Sequence, residues 1–243
     1  MDENRTVDVR PIPGLEHLPY AEVWLHEPDE ARWREASAAA RALGKAGLEA
    51  WTTTRTPDVP RFLEARGYAE VRRYVVSELD VAAAPESGPP AFAIVSLAER
   101  PELANALYAV ALEAYPDQPG RAETRLGDEA TWRAHGLDPH PPEAYLVALE
   151  GEDVAGFGYL TPAREDDGWS HGFTAVARAH RGRGVAGAIK RAQIAWAKAH
   201  GIPALRTATE TRLAAMRGLN DRFGYRPLYE EIVLRGPIAS DPV

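Results

Sequence analysis

A run of arginines and glycines in the second half of the chain has the residue types of a phosphate-binding loop. The run is His180-Arg181-Gly182-Arg183-Gly184-Val185-Ala186. Glycines at positions 182 and 184 allow main-chain N–H groups to converge on one point, because glycine tolerates left-handed backbone conformations. Arg181 and Arg183 add full positive charges. The spacing therefore predicts a site for a phosphorylated ligand.

The flanking residues predict the elements that position this loop. The apolar stretch Phe173–Val176 precedes it and is typical of a strand. After it, apolar residues recur at helical spacing at Val185, Ile189, Ala192, Trp196 and Ala199. A helix that begins at the loop would add the partial positive charge of its N-terminus. We therefore expect a strand, an anion-binding turn and a helix in that order.

Composition narrows the class of protein. The chain has 243 residues, a net charge of −8 and no cysteine, which excludes disulfides, thiol nucleophiles and thiolate metal sites. The N-terminus is polar, and no apolar run approaches the length of a membrane span. We expect a soluble, cytoplasmic protein with no metal, nucleic-acid or membrane partner, and the sequence allows a monomer or a homodimer. The basic loop is a local exception on an acidic chain.

The order of predicted elements indicates the fold class. Residues 84–90 have the composition of a linker. From residue 91 onward, hydrophobic patterning predicts the order β-α-α-β-β-β-α-β-α-β. This order predicts an α/β (α+β) fold, with a mixed, mostly antiparallel sheet flanked by helices.

The first part of the chain echoes the last. The segment Ala46–Thr54 resembles His200–Ala208, and the pair Gly67-Tyr68 recurs as Gly224-Tyr225. We therefore interpret residues 1–83 as a partial, degenerate copy of a complete domain at 91–243. The segment equivalent to the basic loop is Glu27–Arg32, where carboxylates replace the glycines and arginines. Those carboxylates would cap the helix and repel phosphate, so the first copy is expected to be structural.

The glycines also match a dinucleotide-binding fingerprint, Gly182-x-Gly184-x-x-Gly187, with Glu210 further along. Three features disfavour it. Five residues separate Val176 from the first glycine, the turn carries three basic residues, and the chain after Glu210 is too short to complete a dinucleotide domain.

Arg181-x-x-Gly184-x-Ala186 resembles the Arg/Gln-x-x-Gly-x-Gly/Ala motif of the GNAT superfamily of acyl-CoA-dependent N-acyltransferases. The element order over 91–235 is similar to that family, and the degenerate first part is similar to tandem GNAT proteins. The resemblance implies acetyl-CoA as the acyl-donor substrate. It places the pyrophosphate on the loop and the pantetheine arm beside the preceding strand, which splays from the next one. The implied acetyl-CoA-binding residues are Thr174, Ala175, Val176, Arg181, Gly182, Arg183, Gly184, Val185 and Ala186.

The proton-transfer residues depart from the family pattern. Where the family commonly has a tyrosine acid, this chain has Asn220, whose amide can donate a hydrogen bond to sulfur but no proton. The family also often has an asparagine seven residues earlier, where this chain has Leu213. His171 is the candidate base, although it and Ser170 point to opposite faces of a strand and only one can face the cleft. Water-relayed deprotonation is an alternative. Further candidates for the acceptor pocket are Tyr159, Tyr225, Asp117 and Glu113.

These features predict an N-acetyltransferase that acts on a primary amine of a small molecule by direct attack on acetyl-CoA. Two alternatives stay open. One is a non-catalytic acyl-CoA-binding or structural module, and the other is an N-acetyltransferase that acts on a protein or peptide.

Overall fold

A computed structural model describes residues 7–85, 92–118, 126–162 and 168–240. The chain forms two compact units. The first comprises residues up to Val75 together with those from Tyr229 onward, and the second comprises Val76–Leu228. These boundaries differ from the predicted ones at residues 83 and 91. Residues 86–90 of the predicted linker lie outside the described residues.

Within the described residues, the chain forms ten strands and six α-helices. The strands are β1 (Val9–Pro11), β2 (Tyr20–Trp24), β3 (Gly47–Thr53), β4 (Ala69–Asp80), β5 (Ala93–Ser96), β6 (Tyr145–Glu150), β7 (Asp153–Pro162), β8 (Trp169–Val176), β9 (Ala204–Glu210) and β10 (Arg226–Pro237). The helices are α1 (Glu30–Ala42), α2 (Asp58–Glu64), α3 (Ala104–Ala114), α4 (Glu129–Trp132), α5 (Val185–Ala199) and α6 (Ala214–Arg222). Short 3₁₀ turns cover Pro101–Leu103, Tyr115–Asp117, Pro142–Ala144 and Arg178–His180, and a π-helical turn covers Arg133–Leu137.

In the first unit the strands lie in the order β1-β2-β3-β10-β4. Strands β2 and β3 are parallel, as a strand–helix–strand unit around α1 requires. Strand β10 pairs antiparallel with β3, Glu231 to Pro237 against Thr53 to Gly47. This pairing explains why the end of the chain belongs to the first unit and not to the second. Strand β1 has three residues that include a proline, so it carries no detectable sequence pattern.

Helix α1 begins where the sequence predicts. The Asp29 carboxylate accepts hydrogen bonds from the N–H groups of Ala31 (2.7 Å) and Arg32 (3.2 Å), which confirms it as the N-cap. Trp33, Ala36 and Ala40 then face the sheet. The core that they join contains Ala21, Val23, Leu25, Leu48, Ala50, Val59, Leu63, Tyr68, Ile232 and Leu234.

The first unit also contains a buried ion cluster. The Glu49 carboxylate on β3 has no exposed surface, and it accepts hydrogen bonds from Arg72 and from Arg235 Nε at 2.8 Å. Two guanidinium groups therefore compensate one buried carboxylate, and removal of the carboxylate would leave buried charge without a partner.

In the second unit the strands lie in the order β4-β9-β8-β7-β6-β5. Neighbours from β5 to β8 pair antiparallel, and β8 pairs parallel with β9. The predicted order of elements from residue 91 is confirmed. Neighbouring residues on β6 belong to different hydrophobic cores. Val147 packs with α3 residues, whereas Ala148 packs with α5 residues. Helices α3 and α5 therefore cover opposite faces of the sheet, and the mixed, mostly antiparallel fold class is confirmed.

The sheet-facing side of α5 differs from the predicted one. Val185 and Ile189 are buried as expected, but Ala199 is exposed. Lys190 and Gln193 are buried instead, at 4% and 0% exposure. A pattern based on hydrophobicity assigns such polar residues to solvent, so it shifts the apparent face of the helix.

The described residues contain no helix that combines the length and apolar character needed to cross a bilayer. Within the same ranges, no three histidine or carboxylate side chains lie close enough together to hold a metal ion.

Candidate acetyl-CoA and acceptor site

The predicted loop joins β8 to α5, and its two glycines have left-handed backbone conformations. Gly182 has a φ of +74° and Gly184, at the N-cap of α5, a φ of +88°. A Cβ added at either position would meet no atom within 4 Å. The glycines are therefore required by backbone conformation and not by lack of space.

The N-terminus of α5 presents main-chain donors. The helix has no side-chain cap, and within the described residues the N–H groups of 182–187 have no hydrogen-bond acceptor. The next amide, of Ala188, already donates to the Gly184 carbonyl at 3.0 Å. Free donors that converge beside the positive end of a helix dipole form an anion site. This arrangement includes five of the residues predicted from sequence, namely Gly182, Arg183, Gly184, Val185 and Ala186.

The arginines of the loop are held by carboxylates. Arg181 donates to Asp117 at 2.7 Å and, through Nε, to the Val176 carbonyl at 3.1 Å. Arg183 donates to Glu150 at 2.9 Å. The hydrogen bonds from these arginines lower the pKa of Asp117 and Glu150. The predicted basic cluster is therefore largely neutralised, although both ion pairs are exposed and easily exchanged.

The two carboxylates suggested for the acceptor pocket lie at this loop instead. Glu113 accepts a hydrogen bond from the Arg178 N–H at 2.8 Å, and Asp117 accepts from the side chains of Arg178 and Arg181. Their position at the end of α3 and in the following turn brings them to the start of the loop after β8.

Strand β8 separates from β9 before it reaches the loop. The two strands pair only at Trp169↔Leu205 and Ser170↔Arg206. Thr174, Ala175 and Val176 pair with β7 on the other edge, opposite Gly158, Phe157 and Gly156. In the described residues, the β9 side of this stretch has no ladder partner. An open strand edge can pair with an extended ligand, as the splayed geometry expected from the sequence requires.

A β-bulge interrupts β8 between these two regions. Gly158 lies opposite Thr174 and Leu160 opposite His171, so Tyr159 alone faces both Gly172 and Phe173. In a regular strand, residues three apart lie on opposite faces. The extra residue of the bulge instead places His171 and Thr174 on the same face of the sheet. On that face, both are close to Gln193 of α5.

The ring of His171 is hydrogen-bonded at both nitrogens. Nδ1 pairs with Gln193 Oε1 at 2.9 Å, and Nε2 pairs with the Tyr225 hydroxyl. Both ring nitrogens are therefore engaged, and the imidazole is held in one orientation.

Burial favours the neutral form of the His171 ring. Desolvation, followed by the nearby charge of Lys190, holds the pKa of His171 well below its ordinary value, against the effect of the Gln193 hydrogen bond. Burial also lowers the pKa of Lys190 to about 7 and raises that of Tyr225. The Lys190 amine lies 4.6 Å from the centre of the Tyr225 ring. Hydrophobic patterning does not identify Lys190 or Gln193 as site residues. The one available signal is that two polar residues lie three apart, and so on one side, of a largely apolar helix.

Asn220 is buried on α6, with 4% of its surface exposed. Its Nδ2 donates to Thr209 Oγ1 of β9 at 3.0 Å, and its Oδ1 has no partner in the described residues. Rotation of the amide by half a turn would let the Thr209 hydroxyl donate to Oδ1 and would free Nδ2 as a donor. The same helix reaches the start of α5, where Leu219 lies 3.6 Å from a Cβ built on Gly187.

Aromatic rings cover the other face of β8. The Tyr159 ring lies so close to Gly172 that any side chain there would overlap it. Burial raises the pKa of Tyr159, and the main chain of Phe173 partly offsets that rise. His140 stacks on Tyr159 with centroids 3.9 Å apart, and Tyr115 packs on Phe173 at 4.4 Å. Sequence analysis suggested Tyr159 but not His140, which lies in a loop without a recognisable motif.

The comparisons with known proteins bear on the family and the fold of this chain. A model of the acetyltransferase (GNAT) family matches residues 104–225. A search of curated proteins finds no match.

Several solved structures share the fold at low sequence identity. One is a GCN5-related N-acetyltransferase from Sphaerobacter thermophilus, with a TM-score of 0.70 and 17% identity over 96% of this chain and 76% of that one. A tandem GNAT protein from the clavulanic acid biosynthesis pathway has a TM-score of 0.70 and 17% identity, over 93% of this chain and 77% of that one. A GCN5-related N-acetyltransferase from Kribbella flavida has a TM-score of 0.62 and 20% identity, over 96% of this chain and 89% of that one. With a family model that spans half of its length and a fold shared with solved GNAT proteins, this chain belongs to the GNAT family of acetyltransferases and is an acyltransferase.

Proposed function

We propose that this chain transfers the acetyl group of acetyl-CoA to a primary amine of a small molecule by direct attack. The observation that carries the proposal is the set of unpartnered N–H groups at 182–187, which lies directly after the open edge of β8. A ligand that joins a pyrophosphate to an extended, amide-containing arm fits both features at once.

In this proposal the loop holds the pyrophosphate. The N–H groups from Gly182 to Ala186 donate to its oxygens, and Arg181 and Arg183 turn from their carboxylate partners toward the phosphates. Since each exposed ion pair contributes only about 0–1 kcal/mol, this exchange costs little. The donors are fixed before the ligand arrives, so few groups must be ordered on binding.

The open edge of Thr174–Val176 would pair with the pantetheine arm and place the thioester near Thr174. Acetyl-CoA supplies an activated acyl group, and the protein mainly positions it for the amine. Main-chain N–H groups at the divergence of β8 and β9 would stabilise negative charge on the carbonyl oxygen. Asn220, with its amide turned to free Nδ2, would donate a hydrogen bond to the leaving sulfur.

His171 has a positioning role in this scheme. Its neutral ring joins Gln193 on α5 to Tyr225, next to the residues that hold the thioester. A histidine with both nitrogens engaged and a lowered pKa is a poor proton acceptor unless Tyr225 moves away. We therefore expect His171→Asn to reduce turnover through altered binding of acetyl-CoA and not through loss of a base.

Thiol release from acetyl-CoA separates this proposal from the alternatives. We expect release that depends on a small primary amine, with formation of its amide detected by mass spectrometry. CoA binding without release across a broad amine panel would favour a binding module. Release only with peptides or protein N-termini would favour a protein acceptor.

The pyrophosphate assignment has its own test. Arg181→Glu should weaken CoA binding, measured by calorimetry, at least tenfold and leave the thermal unfolding temperature nearly unchanged. Arg61→Glu in α2 of the first unit is the matched control, because Arg61 is an exposed arginine far along the chain from the loop. Unchanged CoA affinity in Arg181→Glu would refute the assignment.

We also infer that the first unit is a degenerate copy of this architecture. Gly67 and Gly224 each follow a short helix, precede a strand and have a positive φ, of +83° and +87°. The corresponding helix start in the first unit is capped by Asp29 itself, so its N–H groups are already occupied. Measured binding of one CoA per chain would agree with this inference, and two would contradict it.

A further inference from the structure

We propose that Lys190 donates the proton that the leaving sulfur of CoA takes up. This inference rests on the proposed function and identifies the source of one proton in it. It starts from an unpaired amine inside the protein. Lys190 is 4% exposed, and within the described residues its amine has no hydrogen-bond or ion-pair partner. Unlike the amide nitrogen of Gln193 on the same helix, this amine is not sealed from solvent.

The surroundings of Lys190 favour loss of its proton. The amine lies 4.6 Å from the centre of the Tyr225 ring, whose hydroxyl is hydrogen-bonded to His171. Burial raises the pKa of Tyr225 and holds the pKa of His171 well below its ordinary value, so both neighbours are uncharged. Burial also lowers the pKa of Lys190 to about 7. An ammonium group with that pKa can give its proton to a thiolate, since an unperturbed thiol has a pKa of about 8.5.

The level of Lys190 along β8 follows from the contacts of its helix. Helix α5 runs back along β8, because Val185 at its start joins the same cluster as Val176 at the end of β8, whereas Gln193 bonds to His171. Lys190 precedes Gln193 by three residues and so lies about 4.5 Å nearer to the start of α5. Strand β8 advances about 3.3 Å per residue toward that end. Lys190 is therefore level with the first two residues after His171.

The side of α5 that carries Lys190 faces α6. Gly187 and Lys190 share that side, because they are three residues apart. Leu219 of α6 lies 3.6 Å from a Cβ built on Gly187, and Tyr225, which follows α6, lies under the Lys190 amine. The N–H of Tyr225 donates to the carbonyl of Asn220 at 3.2 Å. Lys190 is thus next to the segment that holds Asn220.

These two placements meet where β8 and β9 diverge. Ser170 is the last β8 residue that pairs with β9, so Lys190 is level with the open edge of β8. The proposed function puts the thioester near Thr174 and its sulfur beside Asn220. Lys190 then lies at the level of the thioester, on the side of the helix that turns toward the sulfur.

The neighbouring polar groups do not supply this proton. The amide of Asn220 donates a hydrogen bond but no proton. Both ring nitrogens of His171 are engaged, and the Tyr225 hydroxyl is one of their partners. Of these four residues, Lys190 alone combines a transferable proton with an unpaired nitrogen.

The proposed step conserves atoms and charge. The lone pair of the neutral acceptor amine forms a bond to the thioester carbon, and the carbon–sulfur bond breaks with its electron pair on sulfur. The Lys190 ammonium gives one proton to that sulfur and becomes a neutral amine. The new amide loses one proton to water, and Lys190 takes one proton back from water. The products are the amide and CoA thiol.

The kinetic test uses the full chain, acetyl-CoA and the amine that gives the fastest thiol release in a panel of small primary amines. We expect Lys190→Met to reduce kcat about 100-fold and to remove the ionisation on the basic limb of its pH profile, where the lysine loses its proton. The variant should fold, because methionine removes a buried charge and keeps an apolar stem. Lys198→Met is the matched control, because Lys198 is an exposed lysine of the same helix.

A binding test needs no turnover. Calorimetry at about pH 8 compares CoA with desulfo-CoA, which lacks only the sulfur. If the Lys190 amine pairs with the sulfur, the wild type should bind CoA about tenfold more tightly than desulfo-CoA, as expected for a hydrogen bond to a charged group. Lys190→Met should bind the two ligands equally, and Lys198→Met should behave as the wild type.

The outcomes separate the two levels of inference. An unchanged rate and basic limb in Lys190→Met would refute the role of Lys190 and leave the proposed function standing. Loss of rate with equal losses of affinity for CoA and desulfo-CoA would show a structural role and also refute it. Absence of thiol release by the wild type with every amine would refute the proposed function and the proton transfer with it, while the binding test would still decide whether Lys190 contacts the sulfur.

Discussion

Replacement of Gly184 by alanine should weaken CoA binding far more than it weakens the fold. Gly184 has a φ of +88°, and a Cβ there would meet no atom within 4 Å. The cost is therefore conformational, about 1–2 kcal/mol for a non-glycine residue in the left-handed region. At about 2–4 °C per kcal/mol for a chain of this size, the unfolding temperature should fall by about 2–8 °C.

The effect on binding has a different origin. If the loop relaxes to a negative φ to relieve the strain, the N–H groups at the start of α5 no longer converge. Each hydrogen bond lost to a charged phosphate is worth about 1.5–3 kcal/mol, which corresponds to about 10- to 150-fold in Kd. Calorimetric titration with CoA and thermal unfolding without CoA measure the two effects separately.

Gly201→Ala is the matched control for this prediction. Gly201 follows the other end of α5, has a φ of +68°, and also has no atom within 4 Å of an added Cβ. It should show the same fall in unfolding temperature with unchanged CoA affinity. Equal affinities for Gly184→Ala and the wild type, or equal losses of affinity in the two variants, would refute the argument that converging N–H groups bind the ligand.

Three further perturbations follow from the same structure. Lys190→Met should raise the free energy of unfolding at pH 7 by about 3–5 kcal/mol, since the wild-type amine has its pKa lowered to about 7 against about 10.4 when unfolded. Because the unfolded chain binds the extra proton, wild-type stability should rise from pH 7 to about 10 by denaturant titration, and the variant should lack that slope. Asp117→Asn should tighten CoA binding a few-fold and change stability by less than about 1 kcal/mol, since it removes a negative charge and releases two exposed arginines; weaker binding by calorimetry would instead show that Asp117 preorganises them. Glu49→Gln should cost about 3–5 kcal/mol in denaturant unfolding, since two arginines lose a carboxylate of zero exposure; a loss below about 1 kcal/mol would contradict the buried-charge argument.

The conformation of the loop before α5 could be predicted from sequence because its determinants are local. Glycine at 182 and 184 indicates a left-handed backbone conformation. The strand before the loop and the helix after it are each predicted by the spacing of their own apolar residues. The cap at Asp29 was predictable for the same reason: a short polar side chain before a helix satisfies donors within its own turn.

The proton-transfer residues could not be placed in this way, because their positions depend on register and packing. Strict alternation on β8 puts neighbouring residues on opposite faces, but the bulge at Gly172 and Phe173 resets the pattern. The isolated Gly172 is the local sign of a bulge, but it does not specify the register on either side. The contacts of His171 with Gln193 and Tyr225, and of His140 with Tyr159, join segments distant in sequence. Only the folded sheet shows that both ring nitrogens of His171 are engaged.

The starts of α1 and α5 differ in how their main-chain N–H groups are occupied. Positive charge is a weak explanation for the loop before α5, because Asp117 and Glu150 already pair with its arginines. The helix that follows Asp29 has the same donors, but the carboxylate of that residue occupies them. At the loop, glycine replaces the cap and leaves the donors open to an external anion. In the proposed function, the two helix starts therefore differ in the source of the anion, which is the Asp29 carboxylate at α1 and the ligand at α5.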